Sequence, residues 1–262
     1  STCFTQKRSI ANMLLFKKNI RLFTVLSMLA LTSCITLGET SKLAEDANKE
    51  KVLQQLSNDA EKAFEYSKAA EYYSRILELQ PKNITATLGL ARNLRYAGMP
   101  QEAIKIIKNY VSKFRKGKGL RLELLKAQLA AGLLDIALKT AVELKTEEPS
   151  NWELYSILGI IYDQKKDYGL AKINYLKGLK ISPKNPTVLN NFALSLAQNG
   201  KVEKAIKLLE PNVLSEKTTV QTRQTLALLY NLSGSFKKGQ ALMRRDLPTE
   251  IVERNMKIMK SF

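Results

Sequence analysis

A small residue recurs every 34 positions along this chain: Ala69, Ala103, Ala137, Ala171, Ala205 and Gly239, six cycles without a slip. A fixed period of that length constrains the fold more than composition does. Each unit is one supersecondary element that cannot bury its apolar face alone and must stack on its neighbours. The rest of the unit keeps the same phase. In the fourth cycle, residues 152–185 place Leu158 and Gly159 on a first helix, Tyr162 one turn later, Ala171 and Tyr175 on a second helix, and Pro183 at its exit. Steps of 34 lead to Phe192, Ala193, Leu196, Ala205 and Leu209, then to Leu226, Ala227, Tyr230, Gly239 and Met243. Backwards they lead to Leu90, Ala91, Leu94, Ala103 and Ile107, and to Leu56, Ser57, Ala60, Ala69, Tyr73 and Pro81.

Each position has a packing reason. Small residues let paired helices approach, and the Leu, Tyr, Phe and Ile positions fill the space between them. Pro81, Pro149 and Pro183 stop second helices, because proline has no amide hydrogen and biases the residue before it away from the helical region. Gly98-Met99-Pro100, Gly132 and Asn199-Gly200 suit left-handed helix ends inside the repeats. Four positions depart from the pattern. Arg115 and Lys217 stand where an exit proline would be, Gln128 replaces the first-helix aromatic of the third cycle, and Pro211 is expected to interrupt a second helix.

This pattern resembles the tetratricopeptide repeat (TPR) from about Glu50 to Glu253. The resemblance implies an all-α, right-handed superhelical solenoid of about six helix-turn-helix repeats over residues 50–253, with a C-terminal capping helix over 246–262. Pro248 suits the first turn of that last helix, which is expected to run to Phe262 and cover the open end. Binding in this architecture uses the concave face of the first helices. With cycles counted from Glu50, Ile84, Lys118, Trp152, Pro186 and Val220, the expected protein-binding groove includes Arg92, Arg95, Tyr96, Lys126, Asp163, Gln164, Asn190, Leu194, Gln224, Leu228 and Asn231. Polar amides, a few cations and exposed leucines suit an extended segment or a helix.

At the other end Lys17, Lys18 and Arg21 precede the apolar run Leu22 to Ala30 and then Leu31-Thr32-Ser33-Cys34. A positive flank, a short apolar core and a small-residue cleavage site mark an export signal; a membrane-spanning helix needs about 20 apolar residues. The ending resembles the bacterial lipobox, which implies a signal peptide over 1–33, lipidation of Cys34, and a linker over 34–49. A three-chain lipid anchors stably where one chain does not. Residue 35 is Ile and not the Asp that marks inner-membrane retention, so the resemblance points to the outer membrane, facing the periplasm. The competing reading makes Cys34 a buried thiol and residues 14–33 a first helix of the bundle. Met13 is the better candidate for the true start, with residues 1–12 upstream of it.

Composition excludes much chemistry. The chain has no histidine, and its second cysteine, Cys3, precedes the cleavage site. Zinc sites, Ser-His-Asp and Cys-His arrangements and a histidine base are therefore unavailable to this chain alone. Glu143, Glu147 and Glu148 could be proposed as a hydrolytic carboxylate set, but they fall at the end of a second helix, on a solvated face. No catalytic residue, metal or cofactor is expected. The net charge is +18, of which the five basic residues before Cys34 leave about +13 on the mature part. Lys105, Lys108, Lys113, Lys116 and Lys118 lack interleaved stacking aromatics, which argues for a solvated or lipid-facing surface and against nucleic acid.

The C-terminal stretch Met243-Arg244-Arg245-Asp246-Leu247-Pro248 with Val252, Asn255 and Met256 completes a second resemblance, together with Asn190-Asn191-Phe192-Ala193 and Gly200-Lys201-Val202-Glu203-Lys204-Ala205. With signal and repeats, this ending is similar to the TadD lipoproteins of tight-adherence (Flp) pilus systems. The implied role is a pilotin-like adaptor whose partner is the secretin or another pilus-assembly protein, held at the membrane by its lipid, with no small-molecule substrate. Alternatives are a type IV pilus pilotin, or an envelope adaptor for cell-wall hydrolases or outer-membrane protein insertion.

Overall fold

The computed structural model describes residues 42, 44–114, 117, 119–213 and 218–259. The expected signal peptide 1–33, Cys34, the linker up to residue 41, Arg115, Lys116, Lys118 and Lys217 lie outside the described residues. Among the described residues every regular element is a helix. The order is α1 (44–62), α2 (Tyr66–Leu79), α3 (Ile84–Tyr96), α4 (Pro100–Phe114), α5 (Leu120–Ala130), α6 (Leu134–Glu147), α7 (Trp152–Gln164), α8 (Tyr168–Ile181), α9 (Pro186–Gln198), α10 (Val202–Val213), α11 (Val220–Leu232), α12 (Phe236–Met243) and α13 (Thr249–Met259). Four first helices, α3, α7, α9 and α11, begin at the residues from which the period counts them. The expected linker is already helical from residue 44, so α1 begins six residues before Glu50.

The turns explain why the period is so strict. Residues 64, 98, 132, 166, 200 and 234 all have positive φ, between 60° and 79°, and are spaced 34 apart. Each ends a first helix in the same way, with a backbone bond from the next residue to the carbonyl five before it. Met99 N to Leu94 O is 2.8 Å, Asp167 N to Tyr162 O 2.9 Å and Ser235 N to Tyr230 O 2.8 Å. This is the left-handed C-cap that satisfies orphan carbonyls and reverses the chain. Glycine occupies four of the six positions, Gly234 among them, and Phe64 and Lys166 the other two. Three second helices, α2, α6 and α8, have a cap residue directly before a proline: Gln80, Glu148 and Ser182 have φ of −133°, −126° and −128° with positive ψ. These angles lie outside the helical region, which a following proline disfavours.

Pro211 departs from expectation. Instead of interrupting the fifth second helix it sits inside α10, two residues from its end at Val213. So close to the terminus, the missing amide forfeits one bond and leaves little helix to disturb.

The described residues form two compact units that divide between Ala86 and Thr87. In the first, α1 and α2 make a hairpin in which Ser57, Ala60, Ala69, Ala70, Tyr73 and Ile76 are buried. Glu50 accepts hydrogen bonds from Gln80 and Asn83. In the second unit, hairpins α5/α6, α7/α8, α9/α10 and α11/α12 follow one another, each packed on the next. Ala103, Ala137, Ala171 and Ala205 are fully buried. The opposed positions exchange bulk: Leu125 with Ala141, Gly159 with Tyr175, Ala193 with Leu209 and Ala227 with Met243, all in the interior. α12 is short, and after Met243 the chain turns into α13, whose Val252 and Met256 pack on Ala227 and Met243. Pro248 stands at the N-cap and not in the first helical turn, its carbonyl accepting from Val252 N at 3.1 Å.

Candidate protein-binding groove

Within residues 87–262, successive first helices touch directly, α5 with α7, α7 with α9 and α9 with α11, and no pair of second helices packs as closely. The first helices therefore line the inner side of this unit.

Side chains on that side form cross-repeat links. Arg95 on α3 donates from Nε to Glu123 Oε1 on α5 at 2.7 Å, with both side chains nearly buried, and its guanidinium lies 4.4 Å from the ring centroid of the exposed Tyr96. Lys126 on α5 pairs with Glu153 on α7 at 2.7 Å. Gln224 on α11 donates to Asp246 Oδ2 at 3.1 Å, and Asp246 also holds Arg223 through both carboxylate oxygens. Those bonds from Arg223 keep the Asp246 carboxyl below the ordinary carboxylate range. Arg95 and Lys126 thus spend their charge on joining helices, and Gln224 ties α11 to the turn after α12.

Asp163 on α7 is arranged differently. Its Oδ2 accepts from Tyr175 OH at 2.7 Å and its Oδ1 from Ser195 Oγ at 2.6 Å. Burial raises its carboxyl above the ordinary value, against the pull of the two hydroxyls. Asp163, Gln164, Tyr175, Leu194 and Ser195 line a cavity of about 250 Å³ between α7 and α9. Three of the groove residues expected from the period, Asp163, Gln164 and Leu194, therefore share one cavity.

Two expected contacts are not on the open face. Asn190 is buried and donates to Thr222 Oγ1 at 3.2 Å, linking α9 to α11. Asn231 is buried next to Gly239, where an added Cβ would lie 2.2 Å from Asn231 Oδ1, so this amide fills the space that alanine occupies in other cycles. Arg92, Leu194 and Leu228 are half-buried, not open leucines and a free cation, and Gln164 is exposed. Glu143 and Glu147 both pair with Arg121, and Glu148 accepts from Asn151. Sequence reasoning missed Ser195, Glu123 and Asp246 as partners. The available signal was variation within the period: the position of Asp163 is Arg95, Leu129, Ala197 and Asn231 in other cycles.

Residues 153–185 and 174–207 match two family models described as tetratricopeptide repeat. The chain carries tetratricopeptide repeats. The matched segment runs from α7 into α10 and contains the Asp163 cavity. Among solved structures, a thermophilic TPR protein from Thermus thermophilus is 18% identical, with a TM-score of 0.57, covering 68% of this chain and 100% of that one. The pilF protein of Pseudomonas aeruginosa is 14% identical at 0.56, covering 81% and 98%. MamA from residue 41 onward of Desulfovibrio magneticus RS-1 is 13% identical at 0.52, covering 64% and 98%. At these identities the likeness is one of fold. Human protein O-mannosyl-transferase TMTC1 is 25% identical over 189 residues, 70% of this chain and 21% of that protein. The mouse protein of that name is 26% identical over 132 residues, 49% and 14%. The chain thus spans about a fifth or less of the length of these curated relatives. TPR domains bind protein partners.

Proposed function

We propose that the protein is a non-catalytic adaptor that grips a segment of another envelope protein along the inner face of its TPR helices. The observation that carries this reading is the line of first helices in which Asp163, Gln164, Leu194 and Ser195 border an open cavity of about 250 Å³, while Arg95–Glu123 and Lys126–Glu153 join the helices before it. In the same proposal Cys34 carries lipid, placing the solenoid on the periplasmic side of the outer membrane. The partner is the secretin, or another assembly protein, of a tight-adherence pilus, as the lipobox, repeats and tail together suggest. Tethering would raise the local concentration of the adaptor where its partner inserts.

The test is a pull-down from envelope membranes in mild detergent with the Cys34 form and a Cys34→Ser form, with labelling by a fatty-acid analogue read in parallel. Recovery of a secretin, with label on Cys34 and fewer secretin oligomers in the Cys34→Ser strain, supports the proposal. Recovery of cell-wall hydrolases or insertion machinery without secretin would replace the pilus role with a different envelope adaptor.

A further inference from the structure

Three carboxylates have a cation from another element: Glu123 has Arg95, Glu153 has Lys126, and Asp246, in the turn after α12, has Arg223. Asp163 has none among the described residues; only burial and the hydroxyls of Ser195 and Tyr175 act on it. An ionised carboxylate offers about four lone-pair directions, and the two hydroxyls take one on each oxygen. The remaining directions belong to a group that lines an open cavity of about 250 Å³.

We propose that this cavity receives a basic side chain, lysine or arginine, from the segment bound in the groove, with its charged head on the Asp163 carboxylate. This rests on the groove reading given above and adds the chemistry of the partner. The walls suit such a guest. Ile160 and Leu194 offer apolar surface to the aliphatic stem, while Gln164 and Gln198 bring amides to the polar end. A partly desolvated carboxylate without a counter-charge is unfavourable, and an arriving cation relieves that penalty while making charge-assisted hydrogen bonds. A metal ion fits poorly: no group of three or more metal-ligating side chains occurs among the described residues. The protein's net charge of +18 opposes a basic segment in general. A single carboxylate in the groove therefore acts on register and specificity more than on overall attraction.

The test is selection of random displayed peptides on the full chain carrying Cys34→Ser, with the same protein bearing Asp163→Asn alongside. Selected peptides are expected to share a lysine or arginine at one position, and to bind Asp163→Asn about tenfold more weakly. Replacing that basic residue by glutamine should lose the same factor on the parent protein and nothing further on Asp163→Asn. Ser195→Ala, which removes one hydroxyl and keeps the charge, should retain the basic preference, and thermal melts confirm that each variant folds. Peptides that bind the parent and Asp163→Asn equally, or tolerate glutamine, overturn the basic-guest proposal and leave groove binding intact. Recovery of no peptide on either protein would overturn the groove reading as well.

Discussion

Gly159 on α7 lies so close to the Tyr175 ring on α8 that an added Cβ would be 2.5 Å from Cε1 and Cζ. The glycine exists for its partner, because Tyr175 is almost wholly buried and stacks on Phe192 at 5.6 Å between centroids. The same ring also holds Asp163 through its hydroxyl, so packing inside the hairpin sets the geometry of the cavity.

Gly159→Ala is expected to destabilise by about 2 kcal/mol through overpacking of a full interior. Thermal unfolding of the single variant and of Gly159→Ala with Tyr175→Leu checks this. The second change restores the small-against-large balance seen at Ala193 and Leu209, and should recover most of the loss.

Lys166 holds a left-handed conformation at φ 60° where four other cycles have glycine. Lys166→Gly is therefore expected to stabilise by about 0.5–1 kcal/mol, since a side chain in that region is disfavoured by about 1–2 kcal/mol and glycine adds some unfolded-state entropy. Gly200→Ala, whose Cβ would meet nothing within 4 Å, isolates the backbone effect and should destabilise. Denaturant midpoints of the two variants should move in opposite directions.

Arg95→Ala removes the 2.7 Å charge-assisted bond to the nearly buried Glu123 and leaves it Lys126 alone, at 4.0 Å, which should lower stability by about 2 kcal/mol. Arg95→Met with Glu123→Leu should restore it, because apolar residues of similar volume replace such pairs without loss. A stability loss repaired by the double variant marks Arg95 as a helix-joining residue, and a partner-binding loss at unchanged stability would mark it as a contact.

Two aspartates should respond to acid with opposite sign. Asp246, held low by Arg223, contributes stability that is full above the unfolded aspartate value of about 3.9 and is lost as pH falls through its lower folded value. Asp163, raised mainly by burial, subtracts stability at neutral pH, and the subtraction fades as pH falls through its folded value to below about 3.9. In melts from neutral to acid pH, Asp246→Asn should gain on the parent protein as pH falls, and Asp163→Asn should lose ground.

The sequence by itself determined the repeat, its register and its turns. Ile84, Trp152, Pro186 and Val220 start helices because caps, prolines and glycines act on the backbone within a few residues, and the buried small positions recur with the same 34-residue step. Pro211 was legible as a perturbation but not as a harmless one, since its effect depends on how much helix remains beyond it. Tertiary structure alone decided which groove residues face out. Asn190 and Asn231 have the period and polarity of contacts, yet Thr222 and the space beside Gly239 draw them inside. It also decided that Asp163 meets Ser195, 32 residues away, while Arg95 meets Glu123, 28 away. Neither separation is the repeat length. Such links depend on the reach and direction of side chains between packed helices, which the one-dimensional period does not encode.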